Sequence, residues 1–222
     1  MKALFINGSP RKNWNTHKML ASAMQGAQEA GAECELVNLY DLPAFRGCMS
    51  CFACKLKNAK TQGLCVIKDS LRPVLAKALE SDVLVMGSPV YFSYPTGMFR
   101  LFIERLLFPI MSYNINPDGT RPRAIDKTIY SGIIYTMNCP EEFAAKIHYP
   151  EYLAPNSDAA KIVLGYCETL CAYNTYQFTD YSRYDCSMFD ESVKAEHREK
   201  VFPEDLKKAY ELGKRLTDKA QH

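Results

Sequence analysis

The chain has no apolar run near the roughly 18 residues that a membrane span needs. Its N-terminus, MKALFINGSPR, breaks at Asn7-Gly8 before a secretory apolar region can form. A cytoplasmic protein that engages no membrane is the expectation. Charge of one sign is not in excess either: 27 basic residues face 25 acidic ones, a net +2. That balance argues against a nucleic-acid partner held by bulk charge and against an acidic tail. There is no internal repeat and no low-complexity tract. The glycine-rich phosphate motifs are missing as well, both the Gly-Lys-Ser/Thr ending of a P-loop and Gly-x-Gly-x-x-Gly. What is left is a globular sequence, 47% hydrophobic and 23% charged, with an unusual nine cysteines. Residues 1–222 are expected to form a single domain, with a cysteine-rich loop at 45–68 and a polar excursion at 109–127.

Apolar runs and helical spacings alternate along the first half. Lys2–Asn7 reads as a buried strand closed by Gly8-Ser9-Pro10. From about Thr16 to Ala30, Met19, Leu20, Ala23, Met24 and Ala27 share one helical face, and Gly31 stands where a helix stops. Cys34–Leu39 is a second strand. Ser70–Leu79 is a short helix capped by Asp69 or Ser70, and Val83–Met86 a third strand. A helix follows from about Thr96 to Leu107, then a fourth strand over Thr128–Thr136. The stretch 137–155 is irregular or holds one short helix, Ser157–Leu170 is helical, and Ala172–Thr179 is a fifth strand. A terminal helix runs from about Pro203 to Ala220. Strands alternating with helices imply a parallel sheet covered on both faces. With right-handed crossovers, the strand order 2-1-3-4-5 leads.

Two loops carry the chemistry. Gly8-Ser9-Pro10-Arg11-Lys12-Asn13-Trp14-Asn15-Thr16 joins a buried strand to a helix N-terminus, where unpaired N–H groups and the helix dipole favour an anion. Ser9, Asn15 and Thr16 add small donors, and Arg11 or His17 adds charge-assisted bonds to a phosphate. The bland alternative is an ordinary turn with Thr16 as the helix cap. The second loop, Ser88-Pro89-Val90-Tyr91-Phe92-Ser93-Tyr94-Pro95-Thr96-Gly97, sets three aromatics after the third strand, beside the crevice where the strand order reverses. A planar ring bound there would meet aromatic faces and backbone amides.

Gly8-Ser9-Pro10-Arg11 with Asn15-Thr16 resembles the phosphate loop of NAD(P)H-dependent FMN reductases and the related iron–sulfur flavoproteins, of the flavodoxin-like superfamily. Ser88-Pro89-Val90-Tyr91-Phe92, Gly97 and then Phe102-Ile103-Glu104-Arg105-Leu106 resembles the family's isoalloxazine loop and following helix. Trp14 departs from the family, which usually has glycine before the Asn-Thr pair. The resemblance implies a flavodoxin-like three-layer α/β sandwich around a five-stranded parallel sheet. It also implies noncovalent FMN, held by Ser9, Arg11, Asn15, Thr16 and His17 at the phosphate and framed by Pro89, Val90, Tyr91, Phe92, Ser93 and Tyr94 at the ring. Asn138 or the Thr136 hydroxyl would supply a third contact, to a flavin carbonyl, after the fourth strand.

Cys48-x2-Cys51-x2-Cys54 with Cys65 further on is the most unusual feature. The residues alone leave three readings open: a 4Fe–4S cluster wrapped by closely spaced thiolates, a zinc site, or four free thiols packing a loop. The segment resembles that of iron–sulfur flavoproteins up to its ending Gly63-Leu64-Cys65-Val66-Ile67-Lys68-Asp69. The insertion Lys57–Gln62 lengthens the last gap, and its Lys57 and Lys60 would face an anionic cluster. Cys34, Cys139, Cys167, Cys171 and Cys186 lack ligand spacing and read as small core residues.

The function implied is an oxidoreductase taking a hydride from NADH or NADPH onto FMN and passing electrons to a small-molecule or protein acceptor. The flavin carries that chemistry, so no protein residue is assigned as catalytic. An iron–sulfur flavoprotein or an electron carrier docking a redox protein is the rival, and an empty flavodoxin-like module a third reading. A homodimer or homotetramer is expected, through the excursion 109–127 and the segment 180–202.

Overall fold

A computed structural model describes residues 1–59 and 61–222; the expectation for Lys60 lies outside the described residues. Strand β1, Lys2–Asn7, is an unbroken apolar run because both its faces are covered. Leu4 and Ile6 point into one core layer, Ala3 and Phe5 into the other, and all four are buried. Helix α1 (Asn15–Glu29) and β2 (Glu33–Asn38) follow, then α2 (Arg72–Glu80) and β3 (Val83–Tyr91). A two-residue β4 (Tyr94–Pro95) turns back on β3, and α3 spans Gly97–Ile110. The second half holds β5 (Ile129–Thr136), α4 (Glu141–Lys146), α5 (Tyr149–Leu164), β6 (Gly165–Ala172), α6 (Glu191–Lys200) and α7 (Phe202–Ala220). Among the described residues no helix is long and apolar enough to cross a membrane.

The parallel strands run β2-β1-β3-β5-β6, with β4 paired antiparallel to β3 alone. Leaving out that two-residue spur, this is the 2-1-3-4-5 order. One face buries Leu84, Met86, Ile133 and Tyr135 against Leu75, Phe99, Phe102 and Leu153 of α2, α3 and α5. The other buries Val83, Val85 and Ile134 beneath Met19, Leu20, Leu212 and Leu216 of α1 and α7. Helices α1 and α7 nearly touch backbone to backbone. A Cβ on Gly213 would lie 1.8 Å from the Ala23 carbonyl oxygen, and one on Gly26 2.1 Å from that of Tyr210. That contact fixes α1, and with it the loop that feeds it.

The structure departs from the sequence reading in the second half. The helix expected over Ser157–Leu170 is α5, which starts at Tyr149 and stops at Leu164, and the strand expected over Ala172–Thr179 is β6, several residues earlier. Gly165 causes the shift: at φ 103° it takes the left-handed conformation that closes a helix, and its N–H bonds the Lys161 carbonyl. Pro150 and Pro155 hid the start of the helix. Pro150 occupies the first turn, where its missing N–H costs nothing. Helix α6, inside the segment 180–202, has no counterpart in the sequence reading. Helix α3 runs on to Ile110, into the expected excursion, which then holds a single bridge between Met111 and Arg123. Neither Asp69 nor Ser70 caps α2. Leu71 stands at its N-cap, and Asp69 turns its carboxylate to Arg105.

Candidate functional site

The C-terminal ends of β1, β3 and β5 meet at one rim, with Gly87 beside Asn7 and Pro89 beside Thr136. The loop after β1 is a tight turn. Asn7, fully buried, accepts the Ser9 N–H on Oδ1 at 3.0 Å and donates from Nδ2 to Asn38 Oδ1. Ser9 Oγ accepts the Arg11 N–H at 3.1 Å. The loops after β1 and β3 are tied by Thr96, which donates to the Gly8 carbonyl at 2.6 Å and accepts the Phe99 N–H as the cap of α3.

Thr16 does not cap α1. Trp14 holds the N-cap position and makes no side-chain capping bond, while the Thr16 and Thr136 hydroxyls lie 2.8 Å apart. With no side chain folded over them, the first-turn amides of α1 and the positive end of its dipole are left to an anion. This is the geometric argument against an ordinary turn.

A cavity of about 200 Å³ opens here. Of the residues named from sequence, it gathers Ser9, Arg11, Asn15, Thr16, Pro89, Val90, Tyr91, Thr136 and Asn138. His17, Phe92, Ser93 and Tyr94 lie outside its lining. His17 is one position into α1 beyond Thr16, with Nδ1 buried and unpartnered. Phe92 and Ser93 form the tip of the β3–β4 hairpin at φ 49° and 71°, and Phe92 is 95% exposed. Tyr94 packs on Tyr152 of α5, ring centroids 5.8 Å apart.

Of the far wall, the sequence names only Thr136 and Asn138. Met137, Thr175, Tyr176 and Gln177 complete it, the last three from the loop after β6. That loop is tied to the phosphate loop: the Trp14 indole N–H and the Asn15 amide both donate to the Tyr176 carbonyl, at 3.0 and 2.8 Å, and Arg11 donates to that of Gln177. The Arg11 guanidinium lies 3.9 Å from the Trp14 ring centroid, and the Arg198 guanidinium of α6 lies 5.7 Å from the same ring and 4.8 Å from that of Tyr176. With β6 expected too late in the chain, this loop had no place at the crevice in the sequence reading. Burial, with help from Tyr40, raises the Tyr91 pKa against the opposing pull of Arg11, so the phenol stays protonated at neutral pH.

Two buried polar atoms in this wall, Asn138 Oδ1 and Gln177 Oε1, have no hydrogen-bond partner among the described residues. Unsatisfied buried acceptors are costly unless a ligand donor meets them. Free amides, a guanidinium, small hydroxyls and two waiting acceptors fit a phosphorylated polyol such as that of FMN.

The cysteine loop is differently built. The guanidinium of Arg105, 1% exposed, takes both carboxylate oxygens of Asp69, at 2.5 and 2.9 Å, and donates to the Arg46 and Ile67 carbonyls. Burial alone would raise the Asp69 pKa; Arg105 outweighs it and holds the carboxyl below its ordinary value. Arg72 donates to the Cys65 carbonyl, and Lys55 to the Phe108 and Met111 carbonyls at the end of α3. The loop is pinned, yet Cys48 and Cys51 are exposed, Cys54 half-buried and Cys65 buried. Among the described residues, no three His, Cys, Asp or Glu side chains converge as a metal-binding group. The four thiols in this conformation do not fit a cluster. All nine cysteines are free, and burial pushes the Cys34 and Cys167 thiols up to about 11, in keeping with their reading as inert packing residues.

The family model described as NADPH-dependent FMN reductase matches residues 1–125. An iron-sulfur flavoprotein of Archaeoglobus fulgidus is 34% identical over 145 residues, covering 65% of this chain and 59% of its own length. One of Methanocaldococcus jannaschii is 33% identical over 105 residues, covering 47% of this chain and 51% of its own. The chain thus spans between half and three-fifths of the length of these curated relatives. In fold, it is similar to an NAD(P)H:quinone oxidoreductase from Methanothermobacter marburgensis, with TM-score 0.62, 14% identity and 97% and 98% of the two chains covered. An azoreductase from Bacillus anthracis gives TM-score 0.64 at 15% identity, covering 97% and 99%. With the family match covering more than half its length, the crevice loops after β1 and β3 included, the chain belongs to the NADPH-dependent FMN reductase family, in a flavodoxin-like fold.

Proposed function

We propose that the protein is an oxidoreductase that holds FMN noncovalently in the crevice between the loops after β1, β3, β5 and β6, and passes electrons from NADH or NADPH to an acceptor. The observation that carries this reading is the uncapped N-terminus of α1, facing a cavity with Arg11 at its edge. The α1 amides and the Ser9 and Thr16 hydroxyls would hold the phosphate, joined by Arg11 once it exchanges the Gln177 carbonyl for a phosphate oxygen. Asn138 and Gln177 would accept from ligand donors. The cavity is smaller than the ~300 Å³ at which cofactor-sized pockets begin. It would take the phosphate and polyol arm, leaving the ring at the mouth against Pro89, Val90 and Tyr91. When bound, the flavin supplies hydride and electron transfer. The residues bind it, shield one face and order its polar edge.

The test is flavin content after denaturation, followed by anaerobic mixing with NADH and NADPH. About one FMN per chain, bleached by either nucleotide, is the expected result. FAD in place of FMN would contradict the phosphate site. FMN without bleaching would favour an electron carrier.

Iron–sulfur binding by Cys48, Cys51, Cys54 and Cys65 is a separate proposal. It is supported by the relatives' names and by the Cys48-x2-Cys51-x2-Cys54 spacing. It requires the exposed Cys48 and Cys51 to fold inward. Iron and acid-labile sulfide after oxygen-free purification, compared between wild type and Cys51→Ser, decide it.

A further inference from the structure

Lys194 of α6 is 4% exposed, and no carboxylate of the described residues pairs with it. A buried ammonium without a counter-ion is rare, because desolvation opposes the charge. Its Nζ donates to the Asn138 carbonyl and to Asn174 Oδ1, both at 2.5 Å. These acceptors belong to the loops after β5 and β6, which are already laced together. Asn174 N–H bonds the Cys139 carbonyl, and Thr175 bonds the Met137 carbonyl through both its N–H and its hydroxyl. Lys194, behind the lining, thus joins the two loops that form the far wall of the cavity, and it holds the backbone of Asn138, the residue whose Oδ1 is unpartnered.

We infer that Lys194 is a positioning residue for the crevice, fixing the Asn138 and Asn174 loops and supplying the uncompensated positive charge that draws an anionic cofactor into it. The inference rests on the crevice being the FMN site. It names a group in α6, beyond the residues the family model matches.

The charge is poised to titrate. Burial lowers the Lys194 pKa to about 8, with the Cys139 thiol acting weakly the other way. Cys139, from the loop after β5, is the titratable group facing it. Asn174 from the loop after β6 and the Phe189 ring are neutral. On its own helix, Asp190 is spent on capping bonds, and His197 is held below its ordinary value by burial, with Asp205 of α7 opposing. An anion bound nearby favours the charged lysine. Affinity should therefore be full below pH 8 and fall as pH rises through it. An FMN phosphate, with its second pKa near 6, is almost fully ionised by pH 7 and adds no step near pH 8.

The experiment is FMN affinity, by flavin fluorescence quenching, between pH 7 and 9 for wild type, Lys194→Gln, Lys194→Met and Cys139→Ser. Wild type should weaken about five- to ten-fold over that range, ten-fold being the most that losing one proton at a pKa near 8 allows by pH 9. Cys139→Ser should keep the step. Lys194→Gln, which retains a donor for the two loops, should bind at pH 7 about as weakly as wild type does at pH 9, with a flat profile; Lys194→Met should be weaker still. A flat wild-type profile overturns the inference, as does a step that survives in Lys194→Gln or vanishes in Cys139→Ser. Should the lysine variants fail to fold, the wild-type and Cys139→Ser profiles decide alone. Wild type that binds no FMN at pH 7 is a different result: it removes the crevice as the FMN site, and this inference with it.

Discussion

The crevice and the cysteine loop are both bound to the fold by hydrogen bonds, but by different parts of the chain. In the crevice, backbone amides and short side chains on strand ends and a helix terminus already point at the space a ligand would fill. In the cysteine loop the anchors are long cations, Arg105, Arg72 and Lys55, and the thiols between the anchors do not converge. A site placed by regular elements is formed before its ligand arrives. A site carried on a pinned loop is held in the right neighbourhood, and its final geometry depends on what fills it.

The largest effect should come from breaking the pin. Arg105→Met leaves the Asp69 carboxylate without its partner, and removing one member of a buried ion pair costs about 3–5 kcal/mol. Urea denaturation should show that loss. A change below about 1 kcal/mol would mean the cysteine loop is fastened elsewhere. The matching change in the crevice, Arg11→Met, should leave stability nearly unaltered, since Arg11 is exposed and bonds one carbonyl. It should weaken FMN binding by about 1.5–3 kcal/mol, the range for a bond to a charged group. The two variants thus separate a residue that holds the fold from one that holds the ligand. If Arg11→Met lost stability and kept its affinity for FMN, the comparison would be reversed.

Acid sharpens the contrast. Asp69 is held below its ordinary pKa by Arg105, so its contribution is complete above about pH 4, the unfolded value, and is lost as pH falls through the lower folded value. Wild type should lose stability on that limb, and Asp69→Asn, already weaker at neutral pH, should lose less of it. Equal acid slopes for the two proteins would show that other carboxylates carry the limb.

The first half of the molecule was legible because its signals are local. Lys2–Asn7 is apolar on both faces, α1 shows one buried stripe, and turns rich in Gly, Ser and Pro follow β1 and sit inside the end of β3. The failures have a common physical origin. Gly165 ends α5 through a left-handed residue that can equally be read as a helical interior, and two prolines masked the helix start. Misplacing β6 removed Thr175, Tyr176 and Gln177 from view, and α6, polar on most sides, gave no stripe that would point to Lys194. The cysteine spacing left a cluster, a zinc site and free thiols open, because spacing along a chain says nothing of whether the loop folds the thiols together.

The smallest expected effect bears on the one aromatic that the sequence placed at the ring and the structure places at a hairpin tip. Phe92 sits at φ 49° with its side chain in solvent, a conformation that costs a non-glycine L-residue roughly 1–2 kcal/mol and that Asn tolerates better. In a two-residue turn with both central residues left-handed, Asn is a favoured occupant. Phe92→Asn should therefore gain a few tenths of a kcal/mol in stability, somewhat less than ordinary turn optimisation yields. If the hairpin stays where it stands, FMN affinity should change less than about two-fold, because a side chain outside the cavity lining forfeits no contact on truncation. Strained residues persist where a function over-determines them, so the opposite result has a clear meaning. A gain in stability paired with a ten-fold loss of FMN affinity would show that the hairpin folds inward over the bound ring. Phe92 would then belong with Pro89, Val90 and Tyr91 as the sequence had it, and the crevice would share with the cysteine loop a geometry completed only by its ligand.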